Sequence, residues 1–102
     1  MFKYINLTPH TIVLNDGREY PASGVVARVS SEYSAIANDV AEQSFGEVQD
    51  LPEPQDGARF IVSAMVLAAC QGRRDVVAPA TGHPDCCRND KGHIVSVPCF
   101  VR

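Results

Sequence analysis

Turn-forming residues punctuate this chain so densely that no regular element can run long. Thr8-Pro9-His10, Asn15-Asp16-Gly17, the stretch 21–24, Leu51-Pro52-Glu53-Pro54-Gln55-Asp56-Gly57, Thr81-Gly82-His83-Pro84 and Asn89-Asp90-Lys91-Gly92 each interrupt it. Proline fixes φ and gives no N–H to a ladder, while Gly, Asn and Asp tolerate the positive φ that tight turns require. Between these breaks lie short segments enriched in β-branched and aromatic residues, the composition of strands. The pattern predicts strands over 2–7, 11–14, 18–20, 25–30, 44–48, 59–62 and 75–78, and a last hairpin over 86–101 with 94–97 as its return strand. Asp16-Gly17 suits a type I′ turn between the second and third strands. Residues 31–43 are ambiguous. Tyr33, Ile36 and Val40 have helical spacing, yet Asn38-Asp39 divides the segment as strand, turn and strand, and the strand reading is favoured.

One helix stands out. Ser63 is placed to cap it by accepting a bond from an early backbone N–H, residues 64–71 carry it, and Gly72 is its stop. Met65, Val66, Leu67, Ala68, Ala69 and Cys70 make it apolar on nearly every side, which predicts a helix buried against a sheet or an interface. The expected fold is therefore α+β: about seven short, mainly antiparallel strands in a curved sheet or small open barrel, with one short buried helix. A chain of 102 residues suits a single domain spanning 1–102. Short strands leave edges, so a homo-oligomer is an expectation too.

Composition narrows the function classes. Charged residues are 21% and hydrophobic residues 45% of the chain, with a net charge of -3, which speaks for a folded domain and against general nucleic-acid binding. No apolar run approaches the length of a membrane span, and the first residues do not read as a secretory signal, so the expected location is cytoplasmic. In that compartment the four cysteines are expected as free thiols.

Three constellations could carry chemistry. The first is Ser63 at the helix start with Arg73 and Arg74 beyond its end, joined by Arg28 from the fourth strand. Arginine forks hold phosphate oxygens in bidentate fashion, and a helix start offers free N–H groups. The simpler reading makes Ser63 only a cap and pairs one arginine with Asp75; adjacent arginines in an extended segment also point to opposite faces. The second is His83, Cys86, Cys87, His93 and Cys99, which have zinc-ligand chemistry but match no standard spacing, so no metal is assigned. The third is Ser63 as a nucleophile with a histidine and Asp75; the glycines of a nucleophile elbow are missing around it, and the chain is not read as an enzyme. No cofactor is implied.

Asn6-Leu7-Thr8-Pro9-His10, Gly46-Glu47-Val48, Leu51-Pro52-Glu53-Pro54, Phe60-Ile61-Val62-Ser63 and Arg74-Asp75-Val76-Val77-Ala78-Pro79 together resemble a family of small proteins from bacteriophages, prophages and actinobacterial genomes. The resemblance covers most of the chain and brings no catalytic role. It implies a non-enzymatic binding protein of phage or prophage type, acting in the host cytoplasm. The leading form of that reading is an anti-defence sponge for a small phosphorylated signalling nucleotide, held by Ser63, Arg73, Arg74 and Arg28, with Tyr33, Phe45 and Phe60 as stacking groups. The alternative is an inhibitor of a host defence protein, or a structural accessory protein, acting through a sheet edge.

Overall fold

The computed structural model describes residues 2–70 and 72–102. In chain order the elements are β1 (Lys3–Asn6), β2 (Ile12–Val13), β3 (Glu19–Tyr20), β4 (Arg28–Tyr33), β5 (Gln43–Gln49), β6 (Ala58–Ile61), α1 (Ala64–Ala69), β7 (Val76–Pro79), β8 (Cys87–Arg88), β9 (Ile94–Ser96) and β10 (Phe100–Val101). The centre is a four-stranded sheet in the order β1-β6-β7-β10, and three two-stranded ladders, β2-β3, β4-β5 and β8-β9, surround it without closing a barrel.

The central sheet is mixed, which corrects the expectation of a mainly antiparallel fold. β1 runs parallel to β6, β6 parallel to β7, and only β10 is antiparallel to its neighbour. The reason is topological. Parallel neighbours need a crossover of a dozen or more residues, and the strand–Ser63–helix–Gly72–strand segment is such a crossover. The ten strands exceed the expected number because several ladders are only two residues long. The last strand also does not belong to the final hairpin: β8 pairs with β9, and the chain then returns to the main sheet as β10.

The helix too is less enclosed than its sequence suggests. It has six residues, and only Val66 among them is buried, while Met65 is 49% exposed. Val66 and Cys70, four residues apart, put one side of the helix inward; a helix this short depends on that contact rather than on its own propensity. Its expected last residue, Gln71, lies outside the described residues. Gly72 follows at φ +90, as the stop signal predicts.

Alternation along β6 divides the molecule into two layers. Ala58, Phe60 and Val62 join Val76, Leu7, Ala27, Val66 and Cys70 in the main core. Phe60, Ile61, Val62 and Val76 are 0% exposed. Each such side chain contributes on the order of 2 kcal/mol of transfer free energy. Arg59 and Ile61 face the opposite layer, where the β2–β3 hairpin lies. That hairpin turns through a three-residue loop rather than a type I′ turn: Leu14 bonds Arg18 at 2.8 Å, Gly17 N donates back to Leu14 O at 2.9 Å, and only Gly17 takes positive φ. The positive-φ pair instead appears at Asn38 and Asp39, the turn of the β4–β5 hairpin; over the ambiguous segment the strands reach Tyr33 and resume at Gln43, with a single Ala37–Val40 bridge beside the turn and no helix.

Asn6, 2% exposed, ties these parts together. Its Nδ2 donates to the carbonyls of His10 and Tyr20, both at 2.8 Å. Its Oδ1 accepts from Thr8 N at 2.9 Å and Thr8 Oγ1 at 2.7 Å. Its own carbonyl accepts from Ser23 N at 3.0 Å and Ser23 Oγ at 2.7 Å. Every polar group of the side chain is thus used, and a buried amide so satisfied is costly to replace. Asn6→Ala should destabilise the protein by roughly 3 kcal/mol in urea denaturation, because the carbonyls of His10 and Tyr20 lose their donor. A change below about 0.5 kcal/mol, the size of an ordinary surface substitution, would mean that these bonds do not hold the fold.

Candidate functional site

The residues first assigned to an anion site do not converge as a set: Arg73 and Arg74 border one shallow depression, Ser63 borders another hollow, and Arg28 and Phe60 border neither. Ser63 has extended backbone (φ -69, ψ 161), and its Oγ accepts from Val66 N at 3.3 Å. It is the helix cap, and a helix of one and a half turns adds little field of its own. Ser63 borders an open groove of about 550 Å³ together with Pro9, His10, Ile12, Ile94 and Val95. That groove is mainly apolar and contains no arginine or lysine.

Arg73 is already engaged. Its Nε donates to Asp75 Oδ1 at 3.0 Å, and its Nη2 to Asp75 Oδ2 at 2.7 Å and to the Pro52 carbonyl at 3.1 Å. The fork thus fastens the proline-rich loop to the start of β7. Both Asp75 oxygens are spoken for, so Asp75 orients no histidine. Arg74 is exposed, and it lines a shallow depression together with Gly72, Arg73 and Arg102. Arg28 sits on β4 opposite Gln49 and borders none of these hollows. Phe60 is completely buried and cannot stack on a ligand. Tyr33 and Phe45 are exposed, but on the β4–β5 hairpin. Among the described residues no three metal-ligating side chains come together. His83 Nδ1 accepts from Asp85 N at 3.0 Å, and the Cys87 thiol points to the Asp85 carbonyl.

A different set does converge, on the layer opposite the helix. Tyr4 of β1, Arg59 of β6, Tyr20 of β3 and Phe100 of β10 line a recess of about 350 Å³, with Arg18 and Arg102 at its border. Tyr4 and Arg59 are register partners in the parallel pair β1–β6, so they share a face. Phe100 comes from the other edge of the sheet, yet its ring stacks on Tyr4 with centroids 5.2 Å apart and an interplanar angle of 26°. The Tyr20 ring closes the triangle at 5.4 Å from Tyr4 and 5.5 Å from Phe100. Tyr20 reaches this position because its carbonyl is held by Asn6.

Arg59 is the unusual member. A cation within a central strand needs partners, and those it has are weak. Nη1 meets the Tyr4 hydroxyl at 3.4 Å, and Cζ lies 3.9 Å from the centroid of the Phe2 ring. Nε is buried with no hydrogen-bond partner among the described residues. No carboxylate pairs with this guanidinium; the ion pairs among the described residues are Arg18–Asp16, Arg73–Asp75 and His83–Asp85. Arg18 is held only on the surface, where its side chain stays 65% exposed beside Asp16, so it can swing to a ligand at little cost. The recess therefore brings Arg59 together with Arg18 and Arg102 beside a cluster of three rings, although Arg102 Nη1 also donates to the Arg74 carbonyl at 3.2 Å; cations beside aromatic rings are anion-recognition chemistry. Sequence reasoning passed over Arg59, although an arginine next to Phe60-Ile61-Val62 in a central strand is itself a flag. Tyr4, Tyr20 and Phe100 lie in three distant segments, and nothing local announces their meeting.

A scan against protein-family models, a search of curated proteins and a search of solved structures found no match.

The Arg73–Asp75 fork generates a pH prediction. Hydrogen bonds from Arg73 lower the Asp75 pKa from 3.8. A carboxyl whose folded value lies below its unfolded value stabilises the fold above the unfolded pKa and loses that contribution as pH falls through the folded one. Asp75→Asn should therefore be less stable than wild type at neutral pH, and the gap should close below about pH 4. Urea midpoints of the two proteins across this range read the effect; a gap independent of pH would show that the pair adds nothing through its charge.

Proposed function

We propose that this chain is a non-enzymatic binding protein for a small phosphorylated nucleotide, and that it holds the ligand in the Arg59 recess rather than at Ser63, Arg73 and Arg74. The observation that carries the reading is Arg59 itself: a guanidinium with no carboxylate partner among the described residues, bordering a hollow ringed by two tyrosines, a phenylalanine and two further arginines. A guanidinium that no carboxylate neutralises can hold phosphate oxygens through charge-assisted hydrogen bonds. The rings supply a surface for a base, whose stacking on aromatics contributes about 1–3 kcal/mol. The hollow also falls within the roughly 300–1,000 Å³ usual for small-molecule sites. The apolar groove beside Ser63 is larger but offers a phosphate no cation.

Retention of the ligand without turnover is the sponge reading, and the phage-type resemblance agrees with it. The test is calorimetric titration with AMP and with adenosine. AMP should bind and adenosine should bind at least about tenfold more weakly, since one charge-assisted bond is worth at least that much. Arg59→Ala should abolish the difference, while Arg74→Ala should leave AMP affinity unchanged. Equal AMP affinity in wild type and Arg59→Ala, or loss of binding only in Arg74→Ala, would defeat the proposal.

A further inference from the structure

The β4–β5 hairpin is built like half of an interface. Its inner part is anchored: Val29 and Val48 pack on the main core. Its outer part is exposed on both faces, and Tyr33, Ile36 and Val40 are 67%, 78% and 64% exposed. A two-stranded ribbon with no further support is marginal in water. The radius of gyration of 15.3 Å and the extents of 47 × 39 × 23 Å describe a body with projecting parts; a compact domain of this length would have a radius near ~13 Å.

The two edges of the ribbon are not equivalent. From Val29↔Val48 to Ser31↔Phe45, β4 advances two residues while β5 advances three. The extra residue is a bulge in β5, which interrupts that edge and discourages pairing. Gly46 occupies the bulge, and a side chain there would collide with Ser30 Oγ. β4 stays regular, and among the described residues it pairs with no strand but β5; only Ala27, just before it, bonds elsewhere, to the Leu7 carbonyl at 3.0 Å. β4 is thus the edge open to a new strand.

Its sequence is complementary to itself. An antiparallel pairing of β4 with β4 of a second copy, centred on Ser30, sets Arg28 of each chain opposite Glu32 of the other. Both residues are exposed, and neither forms an ion pair among the described residues. Arg28, Ser30 and Glu32 share one face of the strand, so the two cross-strand pairs form together, related by the dyad. We infer that the protein forms a symmetric dimer through β4–β4 pairing, making a four-stranded sheet of the two hairpins with reciprocal Arg28–Glu32 pairs. This inference does not rest on the ligand proposal.

Charge reversal with sedimentation equilibrium tests it. The wild-type protein should be dimeric. R28E puts two acids opposite each other, and E32R two bases, at both ends of the dyad. Either single variant should raise the dissociation constant at least about tenfold. An equimolar mixture of R28E and E32R should recover the dimer as a heterodimer, and the double variant R28E/E32R should recover it alone. Both recoveries fail if the variants merely unfold, so circular dichroism of each single variant is run alongside. A monomeric wild type, a dimer indifferent to either reversal, or folded single variants that do not dimerise on mixing would overturn the inference.

Discussion

A single buried amide organises this molecule. Asn6 ends the first strand of the central sheet, and its side chain holds the carbonyls of His10 and Tyr20 while its backbone holds Ser23. Chain segments that diverge widely in sequence are fixed at one point. The β2–β3 hairpin is thereby set over the sheet, and its far end is secured by Asn15 to Val97 and Ser96. With so little hydrophobic surface in a two-residue ladder, a satisfied polar cluster has to supply the specificity that apolar packing cannot. The Asn6-Leu7-Thr8-Pro9-His10 run, which first drew notice as a resemblance, has this physical role.

The second organising element is the parallel crossover β6–α1–β7. It makes both faces of β6 structural, because a helix covers one and the hairpin the other. Phe60 and Arg59 are neighbours in sequence but belong to different layers. Phe60 is the largest fully buried side chain, and it holds the strand rigidly. Arg59 is consequently presented from a central strand, not from a mobile loop, with its stem fixed and its guanidinium at the edge of a hollow. A donor held this way loses little freedom on meeting an anion, which is the condition for tight recognition by few contacts.

Much of the fold was legible. The cap at Ser63, the stop at Gly72, the proline-rich loop and the strands of the first half follow from local rules, and the turn at Asn38-Asp39 resolved an ambiguous stretch correctly. The parallel pairing was also within reach, since the strand–helix–strand order around Ser63 implies it; turn-rich composition drew attention to hairpins instead. Burial of the helix was overestimated because apolar content says nothing about length, and six residues cannot be surrounded. The site was less legible. Arg73 and Arg74 advertised themselves as a doublet, but Arg73 is bound to Asp75 two residues away, the simpler of the two readings. The recess joins Tyr4, Tyr20, Arg59 and Phe100, which only the order of the central sheet and the Asn6 bonds bring together.

The anion-binding group proposed for this protein is the Arg59 guanidinium, positioned by β6 and roofed by the Asn6-held hairpin. Arginine Nε–H resonances in a ¹H–¹⁵N spectrum, followed during addition of AMP, report on it directly. The Arg59 Nε–H signal should move most, with Arg18 and Arg102 shifting less and Arg73 staying still in its fork with Asp75. Movement led by Arg73 or Arg74, with Arg59 unperturbed, would contradict it.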